Sequence, residues 1–169
     1  LAQITPQVGF NYLLKFGFST LISPKEAVNG NHDVVPSLAL GGLTYGVHNI
    51  EMCAAYAAIA NQGTYTRPVF YSQVIDSNGR VLLDNTTPTT HTVLKASTAS
   101  LLTQGMTSVI TEGTGTSAKL DGKMPVSGKT GTTSSEYDLW FCGYTPYLTA
   151  SIWTGYDENV SLSGDQAYH

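Results

Sequence analysis

Three runs near the end of this 169-residue chain constrain its fold most: 126–134, 138–144 and 148–156. The first is rich in Thr, the second in aromatic residues and the third in both, the composition of strands. The last two flank "YTPY", which reads as the turn of a hairpin. Helical patterns stand before and between strands that join as hairpins. The expected class is therefore α+β, an antiparallel sheet with packed helices.

The helical patterns lie upstream. Leu1, Ile4, Val8, Tyr12, Leu13 and Phe16 fall near helical spacing, with Pro6 at the expected start and Gly17 as the stop. Residues 19–46 are rich in Gly, Asn, Ser and Pro and read as irregular. "NIEMCAAYAAIANQG" predicts a helix with Asn49 as cap and Gly63 as terminator. It is apolar on nearly every face, through Ile50, Met52, Cys53, Ala57 and Ile59, as a buried helix is. "TYTRPVFYSQVIDSNGRVLLD" predicts two strands joined at "DSNG", and "NTTPTTHTVL" a loop. "ASTASLLTQGMTSVITEG" predicts a helix capped by Ser97 or Thr98 and stopped at Gly113. Its expected core stripe is Leu102, Met106, Val109 and Ile110.

Charge narrows the function classes. The net charge is -4 and no basic run is present, which argues against nucleic acid as a partner. No apolar run reaches the length of a membrane span, and no leader peptide is visible. The four histidines (His32, His48, His91, His169) lack metal-ligand spacing, so neither a metal nor a cofactor is expected. Cys53 and Cys142 are not in a CxxC pair and read as buried free thiols.

"SGKTGTTSS", at 127–135, is the stretch with chemical content. A phosphate loop needs G-x-x-x-x-G-K-[ST] leading into a helix. Here the first glycine position holds Lys123, Gly122 misses by one residue, and strand-like residues follow. The alternative is a strand. Lys129 and Gly131 then share one face and Thr130 and Thr132 the other, with twist or a bulge bringing them to one edge. An extended ligand pairs along such an edge through its backbone. Gly131 permits close approach. The threonine hydroxyls and the lysine ammonium receive a carboxylate, and a backbone N–H serves a developing oxyanion. Such a site suits acyl transfer on a carboxylate-ended peptide. A lone KTG also occurs as an ordinary strand with an exposed lysine.

The surrounding sequence supplies the context. "PSLALGGLTYGVHNIEMCAAYAAIANQGTYTRP" and "VSGKTGTTSSEYDLWFCGYTPYLTASIWTGYD" resemble the transpeptidase domain of class A penicillin-binding proteins. The resemblance implies the penicillin-binding protein/serine β-lactamase-like fold, with the motif order S-x-x-K, S-x-N, K-T-G. Only the last is present. The residue three places before each lysine is never serine (Thr92 precedes Lys95 and Thr116 precedes Lys119), and no Ser-x-Asn occurs. The expectation is that 1–169 is the C-terminal part of such a domain, lacking the serine nucleophile and inactive alone.

By the same resemblance, Lys129 contributes positive potential and organises the nucleophile. Thr130 and Thr132 hydrogen-bond the terminal carboxylate of a D-alanyl-D-alanine stem peptide or of a β-lactam. Gly131 keeps the strand open, and the Thr132 N–H is one oxyanion donor. Trp140, Phe141 and Tyr144 are read as packing, and His48 stands where the family often has Ser or Thr. The implied partners are the stem peptide, β-lactams, and either the missing N-terminal half of the domain or a second copy. The implied location is the extracytoplasmic face of the bacterial membrane, through an anchor elsewhere in the parent protein. A non-catalytic penicillin-binding sensor or structural relative is the alternative. A β-lactamase-type hydrolase fits "DLWFCGYTP" and "LALGGLTYG" less well.

Overall fold

The computed structural model describes residues 4–27, 29–122 and 124–162. Leu1, Lys123 and His169, which entered the sequence reading, lie outside the described residues.

Helix α1 (Pro6–Lys15) starts at the proline, whose missing N–H costs nothing in a first turn. It ends in a Schellman turn. Phe18 N–H donates to Leu13 O and Gly17 N–H to Leu14 O, with Gly17 in the left-handed region at φ 85°. A Cβ at Gly17 would overlap the Tyr65 phenol, so glycine is required there twice over. The buried face is not the expected stripe: Phe10 is buried with Leu13 and Phe16 packed behind it, while Ile4, Val8 and Tyr12 are exposed. The chain then turns back under Phe18 and Leu21.

The segment 19–46 is less irregular than expected, with a 3-10 turn at Pro36–Leu40. Its organising group is Asp33, only 1% exposed. The carboxylate accepts the Ile22 N–H at 2.6 Å, and the Thr44 N–H and hydroxyl, each at 2.7 Å. Burial by itself raises this carboxyl's pKa. The bonds from Ile22 and Thr44, with the charge of His32, outweigh it and hold the pKa below the ordinary aspartate value.

Helix α2 (Asn49–Ala60) carries Ala54, Ala55 and Ala58 inward. The N-cap is His48 rather than Asn49, and neither side chain caps. The His48 carbonyl takes the first helical bonds, so Asn49 already lies inside the helix. The helix is not buried on every side, since Ile50 is 40% exposed. Gly63 terminates it as expected, donating to Ala58 O.

The stretch 64–92 holds four strands. Strands β2 (Gln73–Ile75) and β3 (Val81–Asp84) form the expected hairpin. Its turn is held by Asp76, whose carboxylate accepts the Asn78 and Arg80 N–H groups. The expected loop instead contains β4 (Thr90–Thr92), which pairs antiparallel with β1 (Thr64–Thr66), separate from β2. Such short ladders are set by a distant partner, and local pattern does not reveal them.

Helix α3 (Ala96–Thr111) begins before Ser97 and Thr98, with Lys95 at the cap and no side-chain cap bond. Its inward face is Ala99, Thr103, Thr107 and Ile110, while Leu102 is exposed. Strands β5 (Ser127–Thr132), β6 (Asp138–Tyr144) and β7 (Thr149–Gly155) form the main antiparallel sheet in that order. The "YTPY" turn is closed by Thr145 N–H to Leu148 O.

Register sorts this sheet into rows. One face carries Ser127–Tyr144–Thr149, then Lys129–Cys142–Ser151, then Gly131–Trp140–Trp153. α2 and α3 cover the first row. Tyr144 pairs its phenol with Thr103, Ser127 pairs its hydroxyl with Thr107, and the Cys53 thiol lies 3.7 Å from Thr149 O. The other face carries Gly128–Gly143–Ala150 and Thr130–Phe141–Ile152. The Phe141 ring lies across Gly128 and Gly143, so close that a Cβ on either would meet it at 3.0 Å.

Candidate functional site

The two helices cover only one end of the sheet. Beyond them the second and third rows floor an open groove of about 610 Å³. Lys129, Gly131, Trp140 and Trp153 line it from the sheet, Tyr56 from α2, and Asp157 from the chain beyond β7. All four residues singled out in the sequence, Lys129, Thr130, Gly131 and Thr132, border it. The predicted facing holds: Lys129 and Gly131 lie in rows with Cys142 and Trp140, whereas Thr130 and Thr132 lie opposite Phe141 and Leu139.

The edge geometry follows from one hydrogen bond. Thr133 N–H donates across the ladder to Asp138 O at 3.1 Å. In an antiparallel pair, inward and outward backbone groups alternate. Gly131 and Lys129 therefore turn their N–H groups to β6, and Thr130 and Thr132 turn theirs to the outer edge. No strand pairs that edge among the described residues. Lys129 reaches around to it, donating from Nζ to Thr130 O at 2.8 Å. The lysine ammonium and the Thr132 N–H are thus on one open strand edge.

The threonine hydroxyls differ. Thr130 Oγ1 pairs at 2.8 Å with Thr114 Oγ1, just beyond α3, a neighbour that sequence spacing did not reveal. The Thr132 side chain is exposed and makes no hydrogen bond among the described residues. Gly131 has a packing role as well, since an added Cβ would meet Trp140 Cβ at 3.3 Å.

Burial raises the pKa of two groups beside the groove. It pushes the Tyr56 phenol up to about 12, with the neighbouring Cys142 and Tyr144 acting in the same direction. It also raises the Cys142 thiol, against a hydrogen bond to Ser151 at 3.2 Å that lowers it. Both cysteines are free, Cys142 buried as expected and Cys53 only half-buried. Of the aromatics read as packing, Tyr144 is buried, whereas Trp140 forms part of the groove floor. No group of three metal-ligating side chains occurs among the described residues. No helix among them is long and apolar enough to cross a membrane.

The support beneath this edge is not legible in the sequence. Thr103 and Thr107 each spend their hydroxyl hydrogen on a carbonyl one turn back, Ala99 O and Thr103 O, both at 2.9 Å. Each therefore has only lone pairs for the sheet, and Tyr144 and Ser127 are the donors to them. Threonines at i and i+4 on a helix are the only sequence signal of this seam.

Comparison with known proteins gives one consistent result. Residues 2–160 match the family model of the penicillin binding protein transpeptidase domain. Penicillin-binding protein 1A of Clostridium acetobutylicum is 37% identical over 155 residues, 92% of this chain and 18% of that relative. The structure of the penicillin-binding protein PonA1 from Mycobacterium tuberculosis superposes with a TM-score of 0.73 at 27% identity, over 94% of this chain and 44% of that one. The PonA1 structure in complex with penicillin V gives a TM-score of 0.68 at 28% identity, over 88% of this chain and 41% of that one. The chain thus spans less than a quarter of the curated relative's length.

Proposed function

The chain belongs to the penicillin-binding protein transpeptidase family, and from that premise we propose that it forms the substrate-binding edge of a serine D,D-transpeptidase that cross-links peptidoglycan stem peptides and is acylated by β-lactams. The observation that carries the reading is the open edge of β5. It carries the outward Thr132 N–H and, bonded to Thr130 O, the Lys129 ammonium, beside an open groove of about 610 Å³.

In the proposed reaction, a serine hydroxyl from the part of the domain outside this chain attacks the carbonyl between the two terminal D-alanines. Its proton passes to a neighbouring base, and the carbonyl oxygen gains negative charge facing the Thr132 N–H. The C–N bond then breaks, and D-alanine leaves with a proton on its amine. An amine of a second stem peptide takes the acyl group and releases the serine. Lys129 supplies positive potential, and Thr130 and Thr132 receive the donor's carboxylate. The Thr132 hydroxyl has no partner among the described residues, and Thr130 keeps its hydrogen for the carboxylate when Thr114 is the donor of their pair. One oxyanion donor is worth about 3 kcal/mol of barrier. A β-lactam takes the same path, its ring amide opening onto the serine without loss of mass.

We assign residues 1–169 to the C-terminal part of the domain. The remaining part of it covers the apolar surface left open here, including a groove of about 450 Å³ between α1 and the 3-10 turn. The parent protein acts at the extracytoplasmic face of the membrane, where peptidoglycan is.

Intact-mass analysis after incubation with a β-lactam tests this. The parent protein is expected to gain the full mass of one β-lactam, and the chain 1–169 alone to gain nothing. A stable adduct on 1–169 refutes the assignment of the nucleophile. A parent protein that takes up no β-lactam refutes the acyl-transfer reading.

A further inference from the structure

We infer that Asp138 is a positioning residue for this edge: through Thr133 it fixes the end of β5 that carries the Thr132 N–H. The inference rests on the acyl-transfer reading above.

Asp138 uses every polar group it has. Its N–H donates to Thr133 Oγ1 at 2.8 Å, and its carbonyl accepts the Thr133 N–H at 3.1 Å. Its Oδ2 accepts the Thr133 hydroxyl at 3.2 Å, and its Oδ1 accepts the Trp153 indole N–H at 2.8 Å. One side chain thus ties the end of β5, the start of β6 and the middle of β7.

The connection it closes is strained. Ser135 and Glu136 both adopt positive φ, 63° and 55°, which non-glycine residues hold only when their surroundings impose it. What imposes it is the Asp138–Thr133 pair at the base of the loop, with two further bonds, Glu136 N–H to Thr133 O and Leu162 N–H to Glu136 O. Thr132 is one residue from this clamp and pairs with Leu139, itself one residue from Asp138. A donor aimed at an oxyanion works only if held in place before the reaction, and displacement by about 1 Å costs on the order of a hundredfold in rate. Among the described residues no strand pairs the outer edge at Thr132, so its restraint comes from the β6 side, through the ladder and the clamp from Asp138. Thr133, Asp138 and Trp153 all border the groove, so the clamp is part of its wall and the indole that bonds Asp138 ties it to the floor.

Fluorescent-penicillin time courses on the parent protein test the inference, reading the saturating acylation rate, the half-saturation concentration and the final labelled fraction. Asp138→Ala and Thr133→Val are expected to lower the rate roughly ten- to a hundredfold. Half-saturation should stay within about twofold and labelling should still reach completion, because the clamp acts on the reacting geometry more than on docking. Asp138→Asn is expected to stay closest to wild type, since its amide oxygen still accepts the Trp153 indole and its amide nitrogen can donate to Thr133. A purely structural role gives another pattern, in which fewer molecules label but those that do react at the wild-type rate. That pattern, or Thr133→Val at the wild-type rate, overturns the inference. If Asp138→Ala fails to fold, Thr133→Val decides. A wild-type parent that is not acylated removes the acyl-transfer reading and this inference with it, a result visible before any variant is made.

Discussion

The seam between α3 and the sheet gives the sharpest quantitative prediction. Ser127 opens the strand that carries Lys129, and it is 5% exposed. Among the described residues its hydroxyl has one partner, Thr107 Oγ1 at 2.8 Å, and Thr107 spends its own hydrogen on Thr103 O. Ser127 is therefore the donor, which makes the two single substitutions unequal. Thr107→Val keeps the shape but leaves the buried Ser127 O–H with no acceptor, at a cost of about 1–3 kcal/mol. Ser127→Ala removes the donor, while Thr107 still bonds Thr103 O, so the cost is about 0.5–1.5 kcal/mol. The double substitution replaces both partners by apolar groups of similar shape and is expected to cost less than Thr107→Val alone. Urea denaturation of the four proteins measures this as a double-mutant cycle, with an expected coupling near 1 kcal/mol. Melting points should move by roughly 2–4 °C per kcal/mol for a domain of this size. Strictly additive singles, or Ser127→Ala costing more than Thr107→Val, would refute the assigned donor direction and with it the account of how α3 holds β5.

Other outcomes follow from the same geometry. Gly128→Ala places a Cβ 2.8 Å from Cys142 O and 3.0 Å from the Phe141 ring, so it should cost about 2–3 kcal/mol in thermal unfolding. Gly131→Ala meets only Trp140 Cβ at 3.3 Å and should cost under about 1 kcal/mol while weakening β-lactam acylation by intruding on the groove. Equal melting points for the two would contradict this ordering. Asp33→Asn turns an amide N–H₂ toward groups that are themselves donors and should cost about 2–4 kcal/mol at pH 7 in urea titration. Because the folded carboxyl has its pKa lowered, its contribution is fully present above the ordinary aspartate value of 3.8 and disappears as pH falls through the folded value. The gap between wild type and Asp33→Asn should accordingly narrow below about pH 4. Cys142, buried and with its pKa raised, should resist iodoacetamide in the native protein and react in urea, as peptide mass mapping would record.

What the sequence determined by itself was local. Pro6 and Gly17 bounded α1, Gly63 ended α2, and "DSNG" and "YTPY" made their hairpins, because each depends on the backbone freedom of a few adjacent residues. The facing of Lys129 and Thr130 also followed directly, since a strand alternates whatever it packs against. The family was legible for the same reason, as long stretches of particular residues in order. Tertiary structure alone decided the rest. β4 is a strand only because β1 lies beside it. The exposed face of α1, with Val8 and Tyr12, is set by where Phe10 finds partners, not by spacing, which fits either face. Thr103 and Thr107 look like surface residues until the sheet supplies Tyr144 and Ser127 as donors. Asp33 is a loop residue until Ile22 and Thr44 surround it. Asp138 bonds Trp153 on the neighbouring strand, 15 residues away, a pairing that no local pattern encodes. Such hydrogen bonds need both partners in space. Their energies enter only when the chain has closed, which is why the supports of this edge were invisible while the edge itself could be read.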